Sequence, residues 1–154
     1  MSGTIDARLK ELNIDLGSPA APAANYVPYV ISGHQVFISG QIPMTEDGLQ
    51  YQGKVGQEYS VDEGQAAARL CAINILAQLK AAIGDLDRVK RCIKLGGFVN
   101  CDGSFDQQPA VINGASDLMV EVFGDAGRHA RAAVGAPSLP FNVAVEVDAI
   151  FEIA

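Results

Sequence analysis

Residues 128–148 read RHARAAVGAPSLPFNVAVEVD, and the run continues as AIFEI to residue 153. Two stretches of small and β-branched residues, 129–134 and 143–152, flank GAPSLP (135–140), whose two prolines and glycine end one strand and delay the next. Successive side chains of an extended chain point to opposite faces. The second strand therefore sets Val143, Val145, Val147, Ala149 and Phe151 on one face and Ala144, Glu146, Asp148 and Ile150 on the other. The first face reads as core. The second mixes carboxylates with apolar groups, which suits a subunit interface better than open water.

Upstream, two apolar runs, Tyr26 to Ser32 and Gln35 to Ser39, are separated by Gly33-His34, a hairpin signal. Residues 44–58 hold three glycines and read as a polar loop. Ser60-Val61-Asp62-Glu63 is a capping box that opens a helix running to about Ile83, with Gly84 as its stop. Its apolar stripe is read as Ala66, Leu70, Ile73, Leu76, Leu79 and Ile83. Residues 89–100 form a long strand in which Gly96-Gly97 mark a bulge or a close backbone approach. Pro109 to Phe123 is a second helix, with proline in its first turn and Gly124 past its end. Ile5, Leu9 and Leu12 add a short amphipathic helix over 4–13, and DLGSPAAPAAN (15–25) is a connector. The chain thus divides into a leading helix and connector, 1–19, and one domain, 20–154. Its order, β-β-α-β-α-β-β after the leading helix, predicts an α+β fold with two helices packed on one face of a sheet.

At 154 residues the chain has the size of one domain and can bury roughly 68–70% of its unfolded surface. It is 49% hydrophobic but 6% aromatic, without tryptophan, so the core is aliphatic. The formal charge of −7 leaves no basic surplus to displace counterions, which argues against nucleic acid as a partner. No stretch of about 18 apolar residues predicts a membrane span. Asp6, Arg8, Lys10 and Glu11 make residues 1–12 unlike a secretory leader. Cys71, Cys92 and Cys101 form an odd set without a CxxC and are read as reduced thiols in a cytoplasmic compartment.

Two histidines, His34 and His129, do not make up a metal-ligand pattern, so no metal is expected. No GxSxG elbow, P-loop or GxGxxG occurs. Arg131 lies in an otherwise small and apolar strand, on the same side as His129 and Ala133. A guanidinium there is either the bidentate anchor of a carboxylate ligand or an edge-strand cation that reaches solvent or pairs with Asp148. Glu146, among Ala144, Val145 and Val147, is either a half-buried acid–base group or a surface or interface carboxylate paired with Arg or Lys. His129 reads as a strand-end polar residue, Cys71 as a small core hydrophobe, and Asp85 and Asp87 as turn residues.

NYVPYV (25–30), ISGQIP (38–43), the helix 60–83, GFVN (97–100), Asn113 and ARAAVGAPSLPFNVAVEVDAIFEI (130–153) occur in the order and at the separations of one family. Over about residues 20–154 the chain resembles the Rid (reactive intermediate deaminase) or YjgF family, whose members are also called endoribonuclease L-PSP or translation inhibitor. The resemblance implies a fold like the trimeric bacterial chorismate mutases, with two helices outside a curved sheet, three subunits closing a barrel, and pockets in the clefts between them. It also implies hydrolysis of 2-imino acids or their enamine tautomers to 2-keto acids and ammonia, without metal or organic cofactor. On this resemblance Arg131 binds the substrate carboxylate, Glu146 activates water or transfers protons, and Tyr26, Ser39, Gly40 and Asn113 line the pocket.

The chain departs from many members in carrying Ala133 where they have Cys, in its leading helix, in one extra residue between Asn113 and Arg131, and in longer loops around Gly96-Gly97 and 101–108. Two other readings stand beside the deaminase. One is a non-catalytic module that binds a small carboxylate in the same cleft. The other is an endoribonuclease or translation inhibitor, against which the acidic balance speaks.

Overall fold

The computed structural model describes residues 3–19 and 25–154. The predicted connector 15–25 therefore lies partly outside the described residues. A five-stranded mixed sheet in the order β1-β2-β7-β5-β6 forms the frame. Its strands are β1 (Tyr29–Ser32), β2 (Gln35–Gln41), β5 (Val89–Asn100), β6 (Ala130–Ala136) and β7 (Val145–Ile153). β1 and β2 join through the expected two-residue turn, pairing Ser32 with Gln35, with Gly33 at φ +61°. The stretch expected to be loop at 44–58 holds a small hairpin, β3 (Met44–Thr45) and β4 (Gly48–Leu49). β5 and β6 run parallel and are linked by α3 (Gln108–Phe123), the crossover a parallel pair requires.

Helix α2 (Val61–Ile83) starts on the predicted box: Ser60 Oγ accepts from Glu63 N, and Glu63 Oε1 accepts from Ser60 N. Its buried face is Gly64, Ala67, Ala68, Cys71, Ala72, Ile75, Leu76, Leu79 and Ile83. The predicted stripe is thus rotated: Ala66 is exposed, and Leu70 and Ile73 are half-buried. Small residues win the buried positions because they let the helix axis approach its neighbours, the strands and helix α3, closely. By length and hydropathy α2 could cross a membrane, but just over half of that window is buried inside the protein, and it serves here as the core helix. Phe151, Leu95, Val99, Val145 and Val147 line the covered side of the sheet, each with no solvent exposure. Burial of each such side chain contributes about 1.5–3 kcal/mol relative to exposure.

Gly96 and Gly97 lie inside strand β5, not in a loop, and no register shift falls on them. The β5 irregularities lie between Val89 and Arg91 and between Cys92 and Lys94. Close approach explains the glycines: a Cβ on Gly97 would stand 2.6 Å from Ile112 of α3, and one on Gly96 would stand 2.4 Å from Asp148 Oδ1 on the opposite face.

Helix α1 (Thr4–Glu11) packs Leu9 into the core. Gly3 gives it no side-chain cap; instead Asp87 accepts from the backbone N–H groups of Thr4 and Ile5, both at 2.9 Å. Asp87 is therefore a helix cap supplied across the sequence, not only a turn residue.

Candidate functional site

Helices α2 and α3 cover one sheet face, and the other is open. Phe98 of β5 pairs with Glu146 of β7 and Val134 of β6, and Phe37 of β2 pairs with Val30 of β1 and Ile150 of β7. Val30, Phe37, Phe98 and Val134 are exposed, so apolar rows run beside Glu146. The alternation read along 143–151 holds, except that Ala144 is fully buried.

The β2–β7 register jumps between Ile38, opposite Ala149, and Gln41, opposite Val147. Three steps along β2 match two along β7, so Ser39-Gly40 form a bulge facing Asp148. An extra residue bends the strand and takes backbone groups out of the ladder, a device common beside binding sites. Ser39 Oγ donates to Val27 O at 2.7 Å, and Ser39 N donates to Pro28 O at 2.9 Å, which ties the segment following exposed Tyr26 to the bulge. Glu146 leans across Gly40: a Cβ there would lie 2.1 Å from Glu146 Oε2. Tyr26, Ser39, Gly40 and Glu146 thus belong to one neighbourhood.

The Glu146 carboxylate has no hydrogen bond or ion pair with any described residue. Burial raises its pKa first, and the charge of Asp148 raises it further. Asp148 is itself raised by partial burial, opposed by the Gly96 N–H and Lys94. Two carboxylates two residues apart on one face, leaning over two glycines, hold protons more tightly than free acids do.

Arg131 pairs with Leu95, whose side chain is in the core, so it sits on the helix-covered face. There its Nη1 donates to Asn113 Oδ1 at 2.8 Å and to Ser116 Oγ at 3.1 Å. Arg131 is not the partner of Asp148, which lies across the sheet. Asn113 and Arg131 are brought together; Tyr26, Ser39, Gly40 and Glu146 are brought together; the two groups are not. Three strand spacings, about 14 Å, separate β2 from β6, and the groups sit on opposite faces.

One neighbour of Arg131, Ser116, escaped the sequence reading, and a second, His129, was read only as a strand-end polar residue. Ser116 follows Asn113 by about one helical turn, a spacing that puts both on one face and was legible in the sequence only as helix periodicity. His129 shares the Arg131 side, as alternation predicts, yet it is no simple strand-end group: its Nε2 lies 2.9 Å from Ser116 Oγ and its Nδ1 2.6 Å from Gly127 O.

Among the described residues, no three His, Cys, Asp or Glu side chains converge as a metal site would require. Cys71 and Cys92 are buried thiols; burial pushes Cys92 up to about 12 and raises Cys71 strongly, with Glu146 adding to the latter. Neither is poised as a nucleophile. In the loop 101–107, Asp102 accepts from Ser104 N, Ser104 Oγ and Gln57 Nε2, bonds that draw its carboxyl down to about 2.

A family model described as "YjgF/chorismate_mutase-like, putative endoribonuclease" matches residues 6–153. "Protein TCP17" of Trypanosoma cruzi is 54% identical over 153 residues, covering 99% of this chain and 96% of that protein. The crystal structure of Atu1372, a protein of unknown function from Agrobacterium tumefaciens, is 52% identical, with a TM-score of 0.89 over 99% of this chain and 96% of that one. A Shewanella oneidensis structure titled a "putative endoribonuclease" is 42% identical, with a TM-score of 0.95 over 98% of this chain and 100% of that one.

Proposed function

The chain belongs to the YjgF/chorismate-mutase-like family, and on that footing we propose that it hydrolyses 2-imino acids, or their enamine tautomers, to 2-keto acids and ammonia in a cleft between subunits of a homotrimer. One observation carries the reading. Arg131 is held by two neutral oxygens, Asn113 Oδ1 and Ser116 Oγ, and forms an ion pair with no described carboxylate. Arg8, Arg69 and Arg128 each pair with an acid, and Arg88 and Arg91 are held by backbone carbonyls; Arg131 differs in being held by the side chains of a neighbouring helix. An unneutralised, pre-oriented guanidinium on an edge strand is a receptor for a ligand carboxylate. A solved structure of E. coli TdcF with bound serine, 27% identical with a TM-score of 0.63 over 91% of this chain and 96% of that one, supports a carboxylate-bearing ligand.

In this mechanism Arg131 anchors the substrate carboxylate, and Glu146, made a stronger base by its partial burial and by the charge of Asp148, takes a proton from water. The hydroxide adds to the imine carbon and the nitrogen is protonated, giving a carbinolamine. Loss of the nitrogen as ammonia, with the hydroxyl proton leaving, forms the keto group. Glu146 shuttles protons in both steps, while the anchor holds the carbon in register with the water. Tyr26, Ser39 and Gly40 wall the Glu146 side, and Asn113 steadies the Arg131 side.

Because Arg131 and Glu146 face opposite sides of one chain's sheet, each cleft joins Arg131 of one copy to Glu146 of its neighbour. The exposed apolar rows around Phe37 and Phe98 support self-association through the open face. No cofactor enters the reaction. Three unpaired buried thiols support the assignment to the cytoplasm.

The names of relatives support a second reading, an endoribonuclease. The charge of −7 opposes it. Ammonia release from freshly generated 2-iminobutyrate tests the first reading: acceleration by the wild type and none by Arg131→Ala is expected. Equal rates with and without protein, or equal rates in both forms, would sink it. RNA cleavage by highly purified wild type, lost in Arg131→Ala, would favour the second.

A further inference from the structure

Arg131 does not stand alone against α3; it is the first member of a chain of hydrogen bonds. His129 Nδ1 lies 2.6 Å from Gly127 O. A carbonyl oxygen only accepts, so Nδ1 carries a proton, and in the uncharged tautomer with that proton Nε2 presents a bare lone pair. Ser116 Oγ, 2.9 Å from Nε2, therefore donates to it and turns its own lone pairs toward Arg131 Nη1, 3.1 Å away. The far end is immobile: Gly127 is wedged against α3 so closely that a Cβ there would lie 2.1 Å from Met119 O. Every bond in the relay thus has one direction, from Arg131 through Ser116 and His129 to a backbone carbonyl fixed by packing.

Both hydrogens of Nη1 are used, one on Asn113 and one on Ser116. Nη1 is the nitrogen on the Cδ side of the guanidinium. The opposite edge, with the Nε–H and one Nη2–H side by side, has no partner among the described residues. That edge matches the two oxygens of a carboxylate. Without Ser116 the guanidinium could swing about Asn113, and the free edge would no longer be aimed.

We propose that Ser116 and His129 are positioning residues that lock Arg131 and present its Nε/Nη2 edge to a ligand carboxylate, so that they set selectivity for the carboxylate form of the ligand. The inference rests on the reading of Arg131 as a carboxylate anchor. Neither residue touches the ligand; both act through the guanidinium.

The test compares binding of 2-oxobutanoate, the keto-acid product, with that of its neutral carboxamide by titration calorimetry. Wild type is set beside Arg131→Ala, Ser116→Ala, His129→Ala, His129→Gln and the Ser116→Ala/His129→Ala double variant. Arg131→Ala is expected to lose the preference for the acid. Ser116→Ala and His129→Ala are each expected to weaken acid binding by about 5–10-fold, the scale of one hydrogen bond, and to leave carboxamide binding unchanged. The double variant should be no weaker than the poorer single one, because the two act in series. His129→Gln, which can both donate to Gly127 O and accept from Ser116, should recover most of the loss, and it carries the test if the alanine variant does not fold. Wild-type acid affinity in the Ser116 and His129 variants, with loss in Arg131→Ala, would overturn the relay and leave the anchor standing. Equal loss for acid and amide would mark a general structural role and also overturn it. No preference for the acid in wild type, or none lost in Arg131→Ala, would remove the anchor and the relay together.

Discussion

Arg131 and Glu146 lie on opposite faces of one sheet, the first paired with Leu95 and the second with Phe98. No side-chain rotation brings them together, since the sheet itself stands between them. If both serve one reaction, two copies of the chain must meet. Arg131→Ala and Glu146→Gln proteins, each inactive alone, should then recover activity when unfolded and refolded together. Random mixing in a closed ring gives about a quarter of the clefts an intact pair. The check is ammonia release from the mixture against each parent. No recovery, in assemblies shown by native mass spectrometry to be mixed, would place both residues in separate roles.

Gly40 leaves room for the Glu146 carboxylate, which a Cβ would approach to 2.1 Å. The obstruction falls on the end of a flexible side chain, so Gly40→Ala should fold with nearly unchanged Tm while displacing the carboxylate. Turnover of 2-iminobutyrate should drop at least tenfold. Unaltered turnover would show that the leaning posture of Glu146 has no part in the chemistry.

The raised pKa of Glu146 fixes a sign for stability against pH. A carboxyl that holds its proton more tightly when folded makes the native state the better proton binder in the window above its ordinary value, so stability falls as pH rises through that window. Glu146→Gln removes the ionised form. Its Tm should exceed that of wild type at pH 7, and the gap should close below about pH 4. Equal melting temperatures at pH 7 would contradict the burial cost.

Burial raises the thiols of Cys71 and Cys92, the second to about 12. Thiolate is the reactive form, so both should resist iodoacetamide at pH 8 in native protein and react fully in denaturant. Mass spectrometry of tryptic peptides reads this directly; rapid native labelling at either site would show that the core around them opens readily.

Phe151 is fully buried on β7, edge-to-face with Phe123 at 6.2 Å between ring centres. Phe151→Ala should cost about 3–5 kcal/mol in denaturant unfolding. A loss below about 1 kcal/mol would mean that the space under α3 collapses easily.

Much of this architecture was legible in the residues. The box Ser60–Glu63, the turn at Gly33, the proline of α3 and the alternation of 145–151 act over a few residues, and each appears where local chemistry places it. The face of α2 was not. Its buried stripe is built on Ala67, Ala68 and Ala72, which hydropathy ranks below Leu70 and Ile73, and the nearness of α3 and the sheet favours the small residues. The cap on α1 was missed for a similar reason: Asp87 lies more than 80 residues from the N–H groups it serves.

The candidate site divides along the same line. Arg131, Asn113 and Glu146 stand out in sequence through their residue types and their place in a recognisable pattern, because an arginine or glutamate among small apolar neighbours is conspicuous wherever it falls. Which side of the sheet each faces, and what holds it, depends on strand pairing and on a helix packed from elsewhere. Alternation says that His129 and Arg131 share a side; it cannot say that Ser116 stands between them. Periodicity acts along the chain and so was determined by the sequence itself. Pairing acts across it, between segments brought together by burial, and only the tertiary structure decided that Arg131 faces α3 while Glu146 faces the open sheet.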